Sequence, residues 1–243
     1  MGYKTMDANE AVSRVSYKFT EIAGIYPITP ASPMAEKVDV LASKGEINFW
    51  GNKVKVIEME SEKGAIATVH GALQAGVLAT TYTASQGLLL MIPSIYKMAG
   101  EMLPGVIHVA ARSLSTHSLS IFGDHQDIYA VRQTGACMLS SSSVEEAYHM
   151  AMVSHLASIK SSLPFINFFD GFRTSHEIDK VKEIDLSKLE TLIDKKALRK
   201  FRDNGMISGA TTRGTAENED VYFQHTESRN GYYIKAIDNV IYY

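Results

Sequence analysis

Val54-Lys55-Val56-Ile57-Glu58-Met59-Glu60-Ser61-Glu62-Lys63-Gly64-Ala65 passes from a short apolar strand pattern straight into a capped helix start. Val54, Val56 and Ile57 favour extended chain. Ser61 offers a side-chain oxygen to the unpaired amides of a helix that runs to about Gln74 and stops at Gly76. Glu62 therefore stands just past a strand and at the first turn of an apolar helix. In a sheet of parallel strands, that is where ligands are met.

The same alternation continues in both directions. Asp7 caps a first helix with Ala8, Ala11, Val12 and Val15 at helical spacing. A strand follows near Ile22–Ile28, ending in the turn Tyr26-Pro27-Ile28-Thr29-Pro30-Ala31-Ser32-Pro33. Ser32 is expected to cap the next helix, with Pro33 at its first position and Met34, Val38 and Leu41 as its stripe. Val77–Tyr82 reads as a strand. The helix from about Gln86 to Met98 contains Pro93, which should kink or restart it. Val106–Ala111 and Phe165–Phe169 are further strands, and Ser143 with Glu146 forms a capping box for a helix to about Lys160. Strands and helices alternating through short loops predict an α/β fold, a mostly parallel sheet covered by helices on both faces.

From about residue 180 the character changes. Lys180–Asp203 is charged and expected to be helical, with Leu186, Leu189, Leu192, Ile193 and Leu198 on one side; Asn204–Asp220 reads as a long loop. Tyr222-Phe223 and Tyr232-Tyr233-Ile234 are too apolar for a free tail and are expected to pack on something. The division is thus an α/β domain over 1–180 and an extension over 181–243 that packs on it and leads toward a further domain.

Composition narrows the classes. The 243 residues are 45% hydrophobic and 21% charged, enough for one large core. A net charge of −3 gives no reason for nucleic acid or an anionic membrane as partner. The first residues reach Asp7 without an apolar stretch, so they are not a secretory signal, and the longest apolar run, Leu88–Ile92, is far short of the ~20 residues of a membrane helix. Cys137 is the only cysteine, so there is no intrachain disulfide and no four-cysteine iron–sulfur site, and a cytoplasmic protein is expected.

Several residues carry chemistry. Glu58, Glu60 and Glu62 would share one face if the strand continued through them, and the plain reading is a solvated acidic edge. Ser61 and Gly64-Ala65 argue against it for Glu62, because they open a helix with little bulk and leave room for another molecule. Arg112 ends the strand Val106–Ala111, where an arginine suits bidentate binding of a small carboxylate or a structural ion pair. Thr29, between two prolines, either hydrogen-bonds a substrate or only shapes the turn. In Phe122-Gly123-Asp124-His125-Gln126-Asp127 the acids and histidine have no compact metal spacing, even with His117. His70, His149 and His155 fall within helical patterns and read as core or surface residues. Nucleophile elbow, phosphate loop and dinucleotide fingerprint are all missing.

Tyr26–Glu36, Thr83-Ala84-Ser85-Gln86-Gly87 through Pro93, Ser120–Tyr129 and Phe168–Glu177 closely resemble the N-terminal, pyrimidine-binding domain of pyruvate:ferredoxin (or flavodoxin) oxidoreductases; likeness resumes at Arg213-Gly214-Thr215-Ala216. The resemblance implies a thiamine-diphosphate enzyme that oxidatively decarboxylates pyruvate to acetyl-CoA and reduces ferredoxin or flavodoxin. It matches Glu62 to the cofactor glutamate at the aminopyrimidine ring, and Thr29 and Arg112 to the pair that binds pyruvate. It further implies a homodimer, CoA as co-substrate, and Mg²⁺ and [4Fe-4S] clusters held by other domains. Gly123-Asp124-His125 and Asp170-Gly171 both depart from the family's GDG diphosphate motif, so this chain is expected to contribute half a site and not to turn over alone. A related oxidoreductase for a different 2-oxoacid and a non-catalytic binding module stay open.

Overall fold

The structure, a computed structural model, describes residues 2–207, 209 and 211–243. In chain order the elements are β1 (Tyr3–Met6), α1 (Ala8–Phe19), β2 (Ile22–Ile25), α2 (Ser32–Ser43), β3 (Lys55–Glu58), α3 (Glu62–Gln74), β4 (Ala79–Thr83), α4 (Ser85–Gly100), β5 (Val106–Ala111), α5 (Gln126–Val131), β6 (Cys137–Ser141), α6 (Val144–Ser161), β7 (Phe165–Asp170) and β8 (Asp179–Lys182). Then come α7 (Leu186–Leu189), a 3₁₀ turn at Glu190–Leu192, α8 (Lys195–Asp203), α9 (Glu219–Ser228) and α10 (Asn230–Tyr242).

Six of the strands form one sheet in the order β3-β2-β4-β5-β7-β6, every pair parallel, with Ala23 opposite Val56 and Ile107 opposite Ile166. Right-handed crossovers put α2 and α6, with α1, on one face and α3, α4 and α5 on the other. The chain steps from β2 outward to β3 and then back across to β4, so a crevice opens between the carboxyl ends of β2 and β4. β1 and β8 pair antiparallel as a small separate ribbon, Met6 opposite Asp179. Among the described residues no helix is long and apolar enough to cross a membrane.

Burial explains the central strands. Phe165, Ile166, Phe169, Ile107 and Val109 are fully buried between helices, which suits a continuous apolar run. In the middle of that sheet sits a buried polar set. The Nε2 atoms of His108 and His155 are 3.2 Å apart, and Asn167 Nδ2 lies 3.1 Å from His108 Nδ1. The rings of Phe19 and Tyr82 stack on His155 and His108. Burial drives both imidazoles toward the neutral form, with His108 lowered to about 3 and His155 also well below its ordinary value.

The structure departs from the sequence reading at several places. β2 ends at Ile25 instead of Ile28, since Pro27 and Pro30 bring no amide to a ladder. Ser32 lies inside α2 and does not cap it. Ala31 holds the cap position without a side-chain bond, and the amides of Ala31 and Ser32 both donate to Ile28 O, at 2.8 and 2.9 Å. α4 runs unbroken through Pro93. The stretch from residue 180 begins as strand β8 and then breaks into short helices, and α5, β6 and β1 were not anticipated. Residues 211–218 are irregular as expected, while Ser208 and Ala210 of that loop lie outside the described residues. α10 does pack on α6, burying Ala236 and letting Tyr233 Oη donate to Gly135 O at 2.9 Å. Tyr222 and Phe223 do not pack: they are 58% and 69% exposed on α9.

Candidate active site

The carboxyl ends of β2, β3, β4, β5 and β7 deliver five connections to one edge of the sheet, the longest from Arg112 to His125 after β5. After β3, Ser61 accepts from Gly64 N at 3.2 Å and starts α3, so Glu62 takes the first helical position. Glu58 and Glu60 stay exposed, whereas Glu62 is only 8% exposed. The acidic edge is therefore two solvated carboxylates and a separate, buried one, because the strand ends at Glu58 before the alternation reaches Glu62.

Glu62 lies on the first turn of α4. A Cβ on Gly87 would come 2.7 Å from Glu62 Cγ and 2.8 Å from its Oε1, so glycine is what allows that approach. Among the described residues the Glu62 carboxylate accepts no hydrogen bond. Its nearest charge compensation is the Coulomb field of Arg112. A buried carboxylate without a donor is costly and points to a missing partner.

Arg112 leaves the end of β5 and is also 8% exposed. Its Nη1 donates to the carbonyl oxygen of Thr29 at 2.6 Å, while its Nε is buried without a partner. Burial disfavours the guanidinium charge, and Asp127 and Glu62 oppose that effect. Thr29 itself is exposed in the turn after β2, and Arg112 meets its backbone, not its hydroxyl. Asn9 Nδ2 of α1 donates to Pro30 O at 3.0 Å and steadies the same turn. The three sequence-derived residues thus gather at one crevice.

Other residues complete the edge. Asp127, fully buried, accepts from the backbone amides of Ser85 and Arg112, and Thr83 Oγ1 is buried without a partner. His125 Nε2 lies 3.3 Å from Asp170 Oδ1 at the rim, where Gly123 packs on Gly171 O. Sequence reading quoted Asp127 and weighed it only as part of a metal-like cluster. Its partners are 42 and 15 residues away, which no local pattern shows. Among the described residues no three His, Cys, Asp or Glu side chains are grouped to hold a metal ion. A groove of about 320 Å³ between Trp50 and α8 lies at the opposite, amino-terminal edge of the sheet and takes no part in this arrangement.

The donor set can be tested against an aminopyrimidine ring such as that of thiamine diphosphate. Such a ring needs a carboxylate to share a proton with a ring nitrogen, in a place screened from water. Glu62, on a residue only 8% exposed and without a donor of its own, fits. Nothing at this edge offers a diphosphate cradle of the glycine-loop type.

Comparison with known proteins is in line with this geometry. A family profile described as pyruvate flavodoxin/ferredoxin oxidoreductase, thiamine-diphosphate-binding, matches residues 14–241. The pyruvate-flavodoxin oxidoreductase of Klebsiella pneumoniae is 56% identical over 98% of this chain, and the pyruvate:ferredoxin oxidoreductase of Moorella thermoacetica is 54% identical over 96%. The chain spans about a fifth of the length of each (20%). Among solved structures, a 2-oxoglutarate:ferredoxin oxidoreductase from Magnetococcus marinus superposes with a TM-score of 0.67 at 22% identity, over 77% of this chain and 32% of that one, and so shares the fold. By profile and by identity, the chain belongs to the pyruvate flavodoxin/ferredoxin oxidoreductase family as its thiamine-diphosphate-binding domain.

Proposed function

We propose that this domain supplies the pyrimidine side and the substrate-carboxylate side of a pyruvate:flavodoxin or pyruvate:ferredoxin oxidoreductase site, through Glu62, Arg112 and Thr29. The observation that carries the reading is Glu62: a carboxylate 8% exposed, at a helix start, with no hydrogen-bond donor among the described residues. When bound, thiamine diphosphate supplies the electron sink that lets a 2-oxoacid lose its carboxylate. Glu62 would hold the pyrimidine ring by sharing a proton with one of its nitrogens, and its contact with Gly87 fixes where that carboxylate stands. Arg112 receives the substrate carboxylate; its Nη1, fixed on Thr29 O, restricts how the guanidinium turns, and its buried Nε has a bond still to make. Thr29 flanks the same carboxylate from the turn after β2. Pyruvate is the substrate favoured, since relatives at 54–56% identity bear its name.

The remainder of the protein supplies the diphosphate and Mg²⁺ site, the [4Fe-4S] clusters, the CoA site and the homodimer contacts, in the cytoplasm. Cys137 by itself holds no cluster. The 1–180 core carries the chemistry, and 181–243 is the extension through which it meets its neighbours. The test is Glu62→Gln in the assembled oxidoreductase. Loss of pyruvate-dependent acceptor reduction with an intact fold is expected. Normal turnover would remove Glu62 from the cofactor.

A further inference from the structure

Asp127 is a fully buried carboxylate that the proposed chemistry does not use. One of its oxygens, Oδ2, accepts from Ser85 N at 2.8 Å and from Arg112 N at 3.0 Å; the other, Oδ1, accepts from Ile128 N at 2.8 Å. It therefore ties together the ends of two neighbouring strands, β4 and β5, from a residue of α5. Both tied residues need holding. Ser85 sits in the left-handed region with φ 50°, uncommon for a non-glycine residue, and opens the turn of α4 on which Glu62 rests. Arg112 must turn out of β5 so that its guanidinium reaches Thr29 O. Ser85 Oγ also donates to Ser113 O at 2.8 Å, so the strand ends are fastened a second time just beyond Arg112.

We infer that Asp127 is a positioning residue of the oxoacid site: it sets where Arg112 stands relative to Glu62 by clamping the backbone amides of Arg112 and Ser85 on one carboxylate oxygen. The proposal rests on the reading of Arg112 as the group that takes the substrate carboxylate. All three partners of Asp127 are N–H donors, so an amide in its place must turn its own NH₂ against at least one of them. Asp127→Asn keeps the shape but weakens the clamp, since it replaces a charged acceptor by a neutral amide oxygen and sets an NH₂ against one of the three amides. His125 is the titratable neighbour on its own loop, and Arg112 faces it from β5.

The experiment uses the assembled oxidoreductase and oxamate, the unreactive isostere of pyruvate, in calorimetric titrations, with hydrogen exchange read in parallel. Asp127→Asn is expected to bind oxamate about tenfold more weakly, a loss on the scale of one buried hydrogen bond left unmade. Exchange should speed up in segments 83–88 and 110–114, with β7 still protected. Arg112→Met should weaken oxamate at least as much, and the double variant no more than Arg112→Met alone. Unchanged affinity with unchanged exchange, or losses that simply add in the double variant, would overturn the proposal. If Arg112→Met leaves oxamate binding intact while Asp127→Asn still opens the two segments, it is the reading of Arg112 that fails. Asp127→Glu, which keeps the charge but pushes the oxygens past their donors, serves as the second variant. If neither variant folds, Asp127 acts in stability alone and the proposal falls.

Discussion

Two sets of buried polar groups, linked through β5 where His108 lies four residues before Arg112, solve burial in opposite ways. At the carboxyl edge, Glu62, Arg112 and Asp127 form a charged set whose members face one another, with backbone amides on Asp127 and unsatisfied atoms elsewhere. In the interior, His108 and His155 give up charge beside the neutral Asn167, because they are fully buried against aromatic rings and no carboxylate among the described residues pairs with them. The interior is uncharged and leaves one buried acceptor, Asn167 Oδ1, without a partner among the described residues. The edge has charged groups with bonds still to make, and that difference marks it as the place where another molecule belongs.

The largest break of this contrast is Glu62→Gln. Turnover in the assembled enzyme should fall by about 10²–10⁴-fold, the range for losing a positioned acid or base. The melting temperature should hold or rise, since an unpaired buried carboxylate is removed. A variant that loses stability and keeps its rate would erase the contrast.

The interior answers to pH. Both histidines have folded values lowered from an ordinary 6.5. Above that pH they are neutral whether the chain is folded or not and contribute nothing. As pH falls through about 6.5 the unfolded chain takes up two protons that the folded one refuses, so stability drops. The limiting slope is about 2.7 kcal/mol per pH unit, twice the single-proton value. Denaturant midpoints from pH 7 to 5 would show it. His155→Phe should take away about half of that slope, and an unchanged slope would mean the pair is not what the acid finds.

Gly87→Ala probes the joint between Glu62 and α4. The new Cβ would meet Thr83 Oγ1 at 2.6 Å and Glu62 Cγ at 2.7 Å, so overpacking should cost about 1–3 kcal/mol and displace the carboxylate. Equal stability with equal activity would show that Glu62 has freedom to move. The smallest effect belongs to Ser61→Ala. Losing the cap on Gly64 N should cost about 1 kcal/mol, a shift of roughly 2–4 °C in melting temperature, with the rate nearly intact.

Much of this architecture can be read from the chain because burial writes long apolar runs. Val106–Ala111 and Phe165–Phe169 are central strands and are visible as such, and the caps at Asp7, Ser61 and Ser143 sit where their side chains imply. β6, Cys137–Ser141, is an edge strand only half covered, so its composition is mixed, and β1 and β8 are four polar-rich residues each held mainly by one another. The Ser32 reading failed because a carbonyl, Ile28 O, does the work a cap would have done. Glu62 and Arg112 stand out in the sequence because each lies just past a strand, although their pattern alone left a solvated edge and a structural ion pair open and only the family resemblance singled them out. Asp127 is not, since what it does depends on Ser85 and Arg112 arriving from two other strands.

The histidine pair has a practical consequence. Asn167 Nδ2 donating to His108 Nδ1 leaves the proton of neutral His108 on Nε2, facing His155 Nε2 between Phe19 and Tyr82, so it should exchange slowly and resonate well downfield of the amide protons. That gives the fold its own spectroscopic gauge. While the signal persists the sheet is closed around it, and its disappearance times the opening of the core without any label.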